Sequence, residues 1–312
     1  MKIGSKISFL RRMAMPQEEL EAYYREQRAV RFQNDEQLHG IIWRKHIHGL
    51  IHILLAANRV LAGQKLTIIG DKRKHTNKPI IYACTHVGRY DIEMAIQIIR
   101  ASVYLLMGDP GPVYKNLDGL VLWLNGTIFV DTDYKQDRYI GKETCVKLLK
   151  QGGNLLIFPE GAWNITENQI VMPLFPGTAE MAIRTGTEIV PIAIEQYGKH
   201  YYANIGESIS PEGCTLAQKQ ELTDLLRDAL CTLKWNIWTL FPSVNRSSLP
   251  PDAAKQFLDG IMRESENGYI VEEIIRTRYH PSVVAPEKAF AHLDNLIPCR
   301  KNAFLWDKRS YN

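Results

Sequence analysis

The residues best suited to chemistry sit where an apolar run gives out: Pro79-Ile-Ile-Tyr-Ala-Cys-Thr85 leads into His86-Val-Gly-Arg-Tyr-Asp91. An imidazole titrates near neutrality and can take a proton from a hydroxyl, while a carboxylate on its other nitrogen fixes the tautomer and stabilises the imidazolium. The spacing predicts a histidine in the loop past a strand end and an aspartate at the start of the next helix. Two plainer readings stand beside this one, a loop histidine and an N-capping aspartate. A second segment, Phe158-Pro-Glu-Gly161, directly follows Asn154-Leu-Leu-Ile-Phe158. Its Pro and Gly predict a tight exit that presents Glu160 at the sheet edge; by itself it reads as a surface-loop glutamate. The third segment is Gly126-Thr-Ile-Phe-Val-Asp131, and the fourth is Ile189-Val-Pro-Ile192. Pro191 inside that apolar run predicts an edge strand or a bulge. Cys84 reads as a packing residue and not a nucleophile, and the absence of a Gly-x-Ser-x-Gly elbow weighs against a serine hydrolase. His46, His48 and His52 include an i, i+4 pair, but without a neighbouring carboxylate or cysteine no metal site is expected.

Secondary structure must bring these segments to one place. From residue 65 the pattern alternates: strands at KLTIIG, PIIYACT, SVYLLM, TIFV, NLLIF and EIVPIAI, with helices at 91–100, 117–124, 135–150 and 177–185 between them. Such alternation predicts an α/β fold, a largely parallel sheet flanked by helices, with sites at the carboxyl ends of the strands. An N-terminal amphipathic helical pair precedes it, at 17–33 and 36–62. The second helix has a longest run free of Lys, Arg, Asp and Glu of 13 residues, His46 to Asn58. Spanning a bilayer takes roughly 20, so this helix is expected either to lie along a membrane interface or to bury against the main domain. Residues 200–210 are expected to add edge strands and 215–240 a helix; after Pro250-Pro251 come two short helical segments and a polar tail with no functional reading. The division expected is 1–62, a membrane-association region; 63–242, the α/β domain; and 243–312, a C-terminal extension.

With 312 residues, 45% hydrophobic and 23% charged, the chain has the make-up of a folded protein, neither disordered nor polytopic. Residues 1–75 hold 14 Lys and Arg against 7 Asp and Glu, more than the whole chain's net +4. Interleaved Glu18, Glu19, Glu21 and Glu26 argue against a nucleic-acid arm. Five widely spaced cysteines without a CxxC pair fit a reducing compartment, and the first 16 residues are not expected to direct secretion.

In their order and spacing the four segments resemble the glycerolipid acyltransferase family, the lysophosphatidic acid acyltransferase-like proteins with an HxxxxD motif. His86 and Asp91 match the first motif. The second, Gly-x-x-Phe-Ile/Val-Asp-Arg, is matched at Gly126, Phe129, Val130 and Asp131, with Thr132 in place of the arginine. The third, Phe-Pro-Glu-Gly-Thr-Arg-Ser, is matched at Phe158, Pro159, Glu160 and Gly161 and departs at Ala162, Trp163 and Asn164; Pro191 matches the fourth. The resemblance covers about residues 65–195. It implies transfer of a fatty acyl group from acyl-CoA or acyl carrier protein to a lipid hydroxyl, without a cofactor, metal or covalent enzyme intermediate. His86 would be the base and Asp91 its orienter, backbone N–H groups near the strand ends would receive the oxyanion, and Arg89, Gly126 and Phe158 to Gly161 would serve the substrate. Partners implied are membrane lipids, a lyso-lipid acceptor and the acyl carrier, and the place is the cytoplasmic face of a membrane, peripherally. The arginines absent at 132 and 163 are associated in the family with the acceptor phosphate. Either another cation such as Arg89 or Arg184 serves the phosphate, or the acceptor has no phosphomonoester and is a different lyso-lipid or a hydroxylated lipid. A family member that has lost transfer activity, or a thioester hydrolase using the same dyad, are the competing readings.

Overall fold

The computed structural model describes residues 9–108, 113–115, 117–166, 169–263 and 270–281. The polar tail beyond 281 and the first eight residues lie outside the described residues. Seven strands, β1 (Lys65–Asp71), β2 (Ile80–Cys84), β3 (Tyr104–Gly108), β4 (Thr127–Val130), β5 (Leu155–Ile157), β6 (Glu188–Tyr197) and β7 (His200–Ile205), form one sheet in the order β1-β7-β6-β2-β5-β3-β4. Five of the six neighbouring pairs are parallel, and β6 with β7 is antiparallel. The described helices are α1 (Phe9–Ala14), α2 (Gln17–Gln33), α3 (Ile41–Leu61), α4 (Asp91–Ile99), α5 (Leu117–Asn125), α6 (Lys135–Lys150), α7 (Gly177–Thr185), α8 (Lys219–Trp238), α9 (Ala253–Met262) and α10 (Val271–Thr277). This is the expected α/β architecture.

Strand β2 shows why the sheet carries helices on both faces. Successive side chains of a strand alternate between faces, and here both faces are apolar. Ile80, Tyr82 and Cys84 join one core with Ile51 and Leu55 of α3 and Met94, Ala95, Ile96, Ile98 and Ile99 of α4. Ile81 and Ala83 join the other, with Cys145, Leu148 and Leu149 of α6, Met181 of α7, and Leu226 and Leu230 of α8. Each Ile, Leu or Met among these contributes about 1.5–3 kcal/mol on full burial.

Two strand expectations are corrected. Residues 200–205 do not form an edge: β7 lies between β1 and β6, because its tight antiparallel turn from β6 leaves its outer side for β1. Nor is Pro191 on an edge, since β6 pairs with β2 on one side, Ala83 opposite Pro191, and β7 on the other. The Pro191 carbonyl accepts from Gly206 N at 2.9 Å, just past the end of β7. Carbonyl and missing N–H of one strand residue face the same neighbour, so the absent donor falls where the β6–β7 ladder has already ended.

The front helices are built into the α/β unit. Arg28 of α2 grips Asp137 through Nε (3.0 and 3.1 Å) and NH2 (2.6 Å), and Asp137 also accepts from Asp131 N at 2.7 Å. Compact units divide at Met1–Tyr279 and His280–Asn312, so segments 1–62 and 63–242 and helices α9 and α10 share one unit.

Candidate active site

Two residues past the end of β2 the chain delivers His86 to the carboxyl edge of the sheet. His86 Nδ1 lies 2.7 Å from Asp91 Oδ2, and the same oxygen accepts the N–H groups of Val87 (2.7 Å) and Gly88 (3.1 Å). Asp91 opens α4 and is fully buried. Its carboxylate turns back on its own loop, which sets the capping reading aside, and the helix N-terminus adds a favourable dipole. A carboxylate oxygen that accepts two backbone N–H bonds calls for a donor at Nδ1; the proton is assigned there, and Nε2 keeps its lone pair.

The motif after β5 shapes the walls. The Phe158 ring is tilted over His86 at 4.4 Å between centroids, and Trp163 meets the imidazole edge-on at 6.3 Å and 85°. The His86 side chain is left 16% exposed. Glu160 is not presented at the sheet edge: it is completely buried, with Oε1 accepting from His86 N (3.0 Å) and Oε2 from Met172 N (2.7 Å). Burial pushes its carboxyl up from the ordinary value, while the charge of buried Lys234 and the two N–H bonds pull it back. It braces the backbone under His86 and offers no surface to an acceptor. Pro159 is buried, its carbonyl accepting from Phe175 N at 2.8 Å. Gly161 has φ +76°, and a Cβ there would lie 2.4 Å from the Phe175 ring; only glycine closes this turn.

The expected oxyanion donors are largely taken. The N–H groups of His86, Val87 and Gly88 bond to Glu160 and Asp91, Asn164 N donates to His86 O at 2.8 Å, and Gly161 N to Phe158 O at 3.0 Å. Cys84 is wholly buried and its thiol is pushed well up by burial, as suits a packing residue.

Two expected residues fall elsewhere. Gly126 precedes β4, and through the register of β4, β3, β5 and β2 it is level with Ile81. That is five residues short of His86 along the strands, roughly 16 Å at 3.3 Å per residue. With φ +103° it makes the turn from α5 against Tyr104 and Arg44. Arg184 ends α7 just before β6, at the same amino edge, and is bound to Glu143 at 2.5 and 2.7 Å. Neither meets the site, because the motif spells their identity and not the edge they occupy. Arg89 stays in the His86–Asp91 loop, half-buried, its guanidinium 5.0 Å from the Tyr90 ring centre.

Two contributors escaped the sequence reading. Arg25 of α2 pairs with the motif residue Asp131 at 2.5 Å, and nothing in the sequence of the front helix signalled it. Helix α10 packs against the third motif: Ile274 is buried with Ala162, Trp163 and Met172, the Tyr279 ring just past the helix lies tilted 5.1 Å from that of Phe175, and Arg276 pairs with Asp133 beside Thr132.

The sequence profile of the Acyltransferase family matches residues 65–195, the segment that holds all of this geometry except the front and C-terminal helices. Over that segment the chain is an acyltransferase of the glycerolipid type. It is 24% identical over 182 residues to the 1-acyl-sn-glycerol-3-phosphate acyltransferase of Borreliella burgdorferi, covering 54% of this chain and 72% of that one. The enzyme of the same name from Saccharomyces cerevisiae is 24% identical over 209 residues, covering 62% and 68%. The crystal structure of the 1-acyl-sn-glycerophosphate acyltransferase PlsC from Thermotoga maritima shares the fold at TM-score 0.53 and 14% identity, over 75% of this chain and 98% of its own. Among the described residues of this acyltransferase, no helix is long and apolar enough to cross a membrane.

Proposed function

We propose that this acyltransferase moves a fatty acyl group from an acyl thioester, acyl-CoA or acyl-ACP, to the hydroxyl of a lysophospholipid held in a membrane surface, with His86 as general base. The observation that carries the reading is the 2.7 Å bond from His86 Nδ1 to buried Asp91 at the carboxyl edge of the sheet. Nε2 takes the hydroxyl proton as the oxygen attacks the thioester carbonyl. When the tetrahedral intermediate collapses, the carbon–sulfur bond breaks and the imidazolium returns that proton to the leaving thiolate. Asp91 stabilises the imidazolium between the two steps. Phe158 and Trp163 on either side restrict water, which favours transfer over hydrolysis. The names of the two relatives support a lysophospholipid as acceptor.

The membrane surface is read from α3. Ile42, His46, Leu50, Ile53 and Leu54 recur at three- and four-residue steps, with Leu61 two turns beyond Leu54, all exposed, on the face turned away from the core residues Ile51 and Leu55. Exposed Trp123 of α5 lies 6.0 Å from Trp43 beside this stripe. An apolar stripe with aromatic rings at its border suits the headgroup boundary, and the reading places the protein peripherally on the cytoplasmic face. The test incubates purified protein with labelled acyl-CoA or acyl-ACP and a panel of lyso-lipids and identifies the product by mass. Product formation that His86→Ala abolishes is the expected result; an unchanged His86→Ala rate overturns the mechanism.

A further inference from the structure

Opposite the His86 edge, where α3 passes the start of β3 and β5, a cleft of about 300 Å³ is lined by Lys45, His48, Arg100, Ala101, Ser102 and Asn154. Three basic side chains and no carboxylate face it. The Arg100 guanidinium makes no hydrogen bond or ion pair among the described residues, its backbone N–H alone bonding Ile96 O, and Lys45 Nζ has a single bond, to Gly152 O at 3.1 Å. His48 carries a buried Nδ1 that has no partner among the described residues. Arg100 also holds a left-handed backbone, φ +57°, as the cap of α4. Asparagine or glycine adopts that conformation more readily, so an arginine there sacrifices local stability to keep a cation in place. Lys45 stands three residues after Ile42, at the border of the apolar stripe on α3.

We propose that this cleft is a second lipid site, separate from the catalytic one, that seats the phosphate of an anionic membrane headgroup. The proposal rests on the membrane-surface reading of α3 and adds to it a defined ligand and address. Two fixed cations with free donors match a phosphate diester, and Ser102 and His48 complete a polar wall around it. A headgroup phosphate lies just above the acyl boundary where the Ile42 to Leu61 stripe would rest, so one docking event fills both. A free phosphate would need no such neighbour, and the headgroup is therefore the source chosen.

The test compares the full chain with the double variant Lys45→Gln/Arg100→Asn for sedimentation with phosphatidylcholine vesicles that do or do not contain phosphatidylglycerol. The left-handed position accepts asparagine, so the variant should melt no lower than wild type. A juxtamembrane cation contributes about fivefold in binding, so the pair should cost about 25-fold on phosphatidylglycerol vesicles and leave binding to pure phosphatidylcholine unchanged. Lys72→Gln/Lys74→Gln, which removes the same charge in the loop after β1, should lose far less. Equal losses from the two double variants would reduce the effect to net charge and overturn the site. Stabilisation by inorganic phosphate that the cleft variant loses, with its vesicle binding intact, would make the cleft a free-phosphate site and equally overturn the proposal. A wild-type chain that binds neither vesicle would instead sink the membrane reading beneath it.

Discussion

At the residue scale, what His86 does depends on which atoms are already committed. Asp91 Oδ2 carries three bonds, so Asp91→Asn would set an amide N–H against backbone donors or present its oxygen without charge. His86→Ala should cut turnover about 10²- to 10⁴-fold with the melting temperature retained, and Asp91→Asn should cut turnover while also lowering stability; single-turnover rates and thermal melts separate the two. Glu160→Gln should cost about 1–3 kcal/mol, because two backbone donors, His86 N and Met172 N, would share one acceptor oxygen. An unshifted denaturation midpoint would refute the brace. In the acceptor panel, lysophosphatidic acid is not expected to rank first, since Thr132 and Trp163 replace the two arginines that the family resemblance associates with its phosphate, each such charge-assisted bond worth about 1.5–3 kcal/mol. If it does rank first, Arg89→Ala should raise its KM strongly. The dyad was legible because a strand end and a helix start flank it. Glu160 was not, since the inward turn of a loop carboxylate is decided by N–H donors 12 and 74 residues away, those of Met172 and His86.

At the element scale, periodicity located the strands and helices to within a few residues from 65 to 195, where each alternates between core and linker. Neighbour relations were less legible. Nothing in His200–Ile205 says whether another strand will cover its far side, and nothing in the front helix says that Arg25 and Arg28 turn inward to Asp131 and Asp137. Helix α10 was found as a helix without a role. Its Ile274, 1% exposed, seats on Trp163, the residue that edges His86. Ile274→Asp buries an unpaired charge and should release α10, seen as proteolytic cleavage between α9 and α10, with turnover reduced and global unfolding little changed. Ile274→Val should restore both, at a cost of about 0.5–1.5 kcal/mol. Full activity after α10 is released would show that the third motif holds its shape without it.

At the scale of the whole molecule, one ion pair gives a pH-dependent term and one helix face gives an orientation. Arg184 holds the Glu143 carboxyl below its ordinary range and ties α7 to α6. A depressed carboxylate stabilises the fold above its unfolded value, about 4.3, and that contribution fades as pH falls through the lower folded value. Glu143→Gln should therefore be less stable than wild type by up to about 1 kcal/mol at pH 7, a gap that closes in acid; a gap constant from pH 7 to pH 3 would contradict the assignment. Orientation follows from α3 lying antiparallel to α4. The carboxyl half of α3 meets the start of α4, Asn58 bonding Glu93 at 3.0 Å and Arg59 bonding Gln97 at 2.9 Å, beside Asp91. Its amino half passes Arg100. The apolar stripe thus runs from the amino edge of the sheet to the edge that holds His86, and a lipid acceptor would enter from the Leu61 end. Deleting residues 1–62 cannot test this, because Ile51 and Leu55 belong to the core and their loss would unfold the sheet's cover. Surface changes can. Leu50→Ser with Leu54→Ser should weaken vesicle binding at least tenfold, given about 1.5–3 kcal/mol per side chain transferred fully from water. Val60→Ser with Leu61→Ser should raise KM for long-chain acceptors in vesicles more than it weakens binding, while leaving a short-chain soluble acceptor unaffected. Equal effects of the two pairs on KM would mean that the stripe holds the membrane without directing the acceptor to His86.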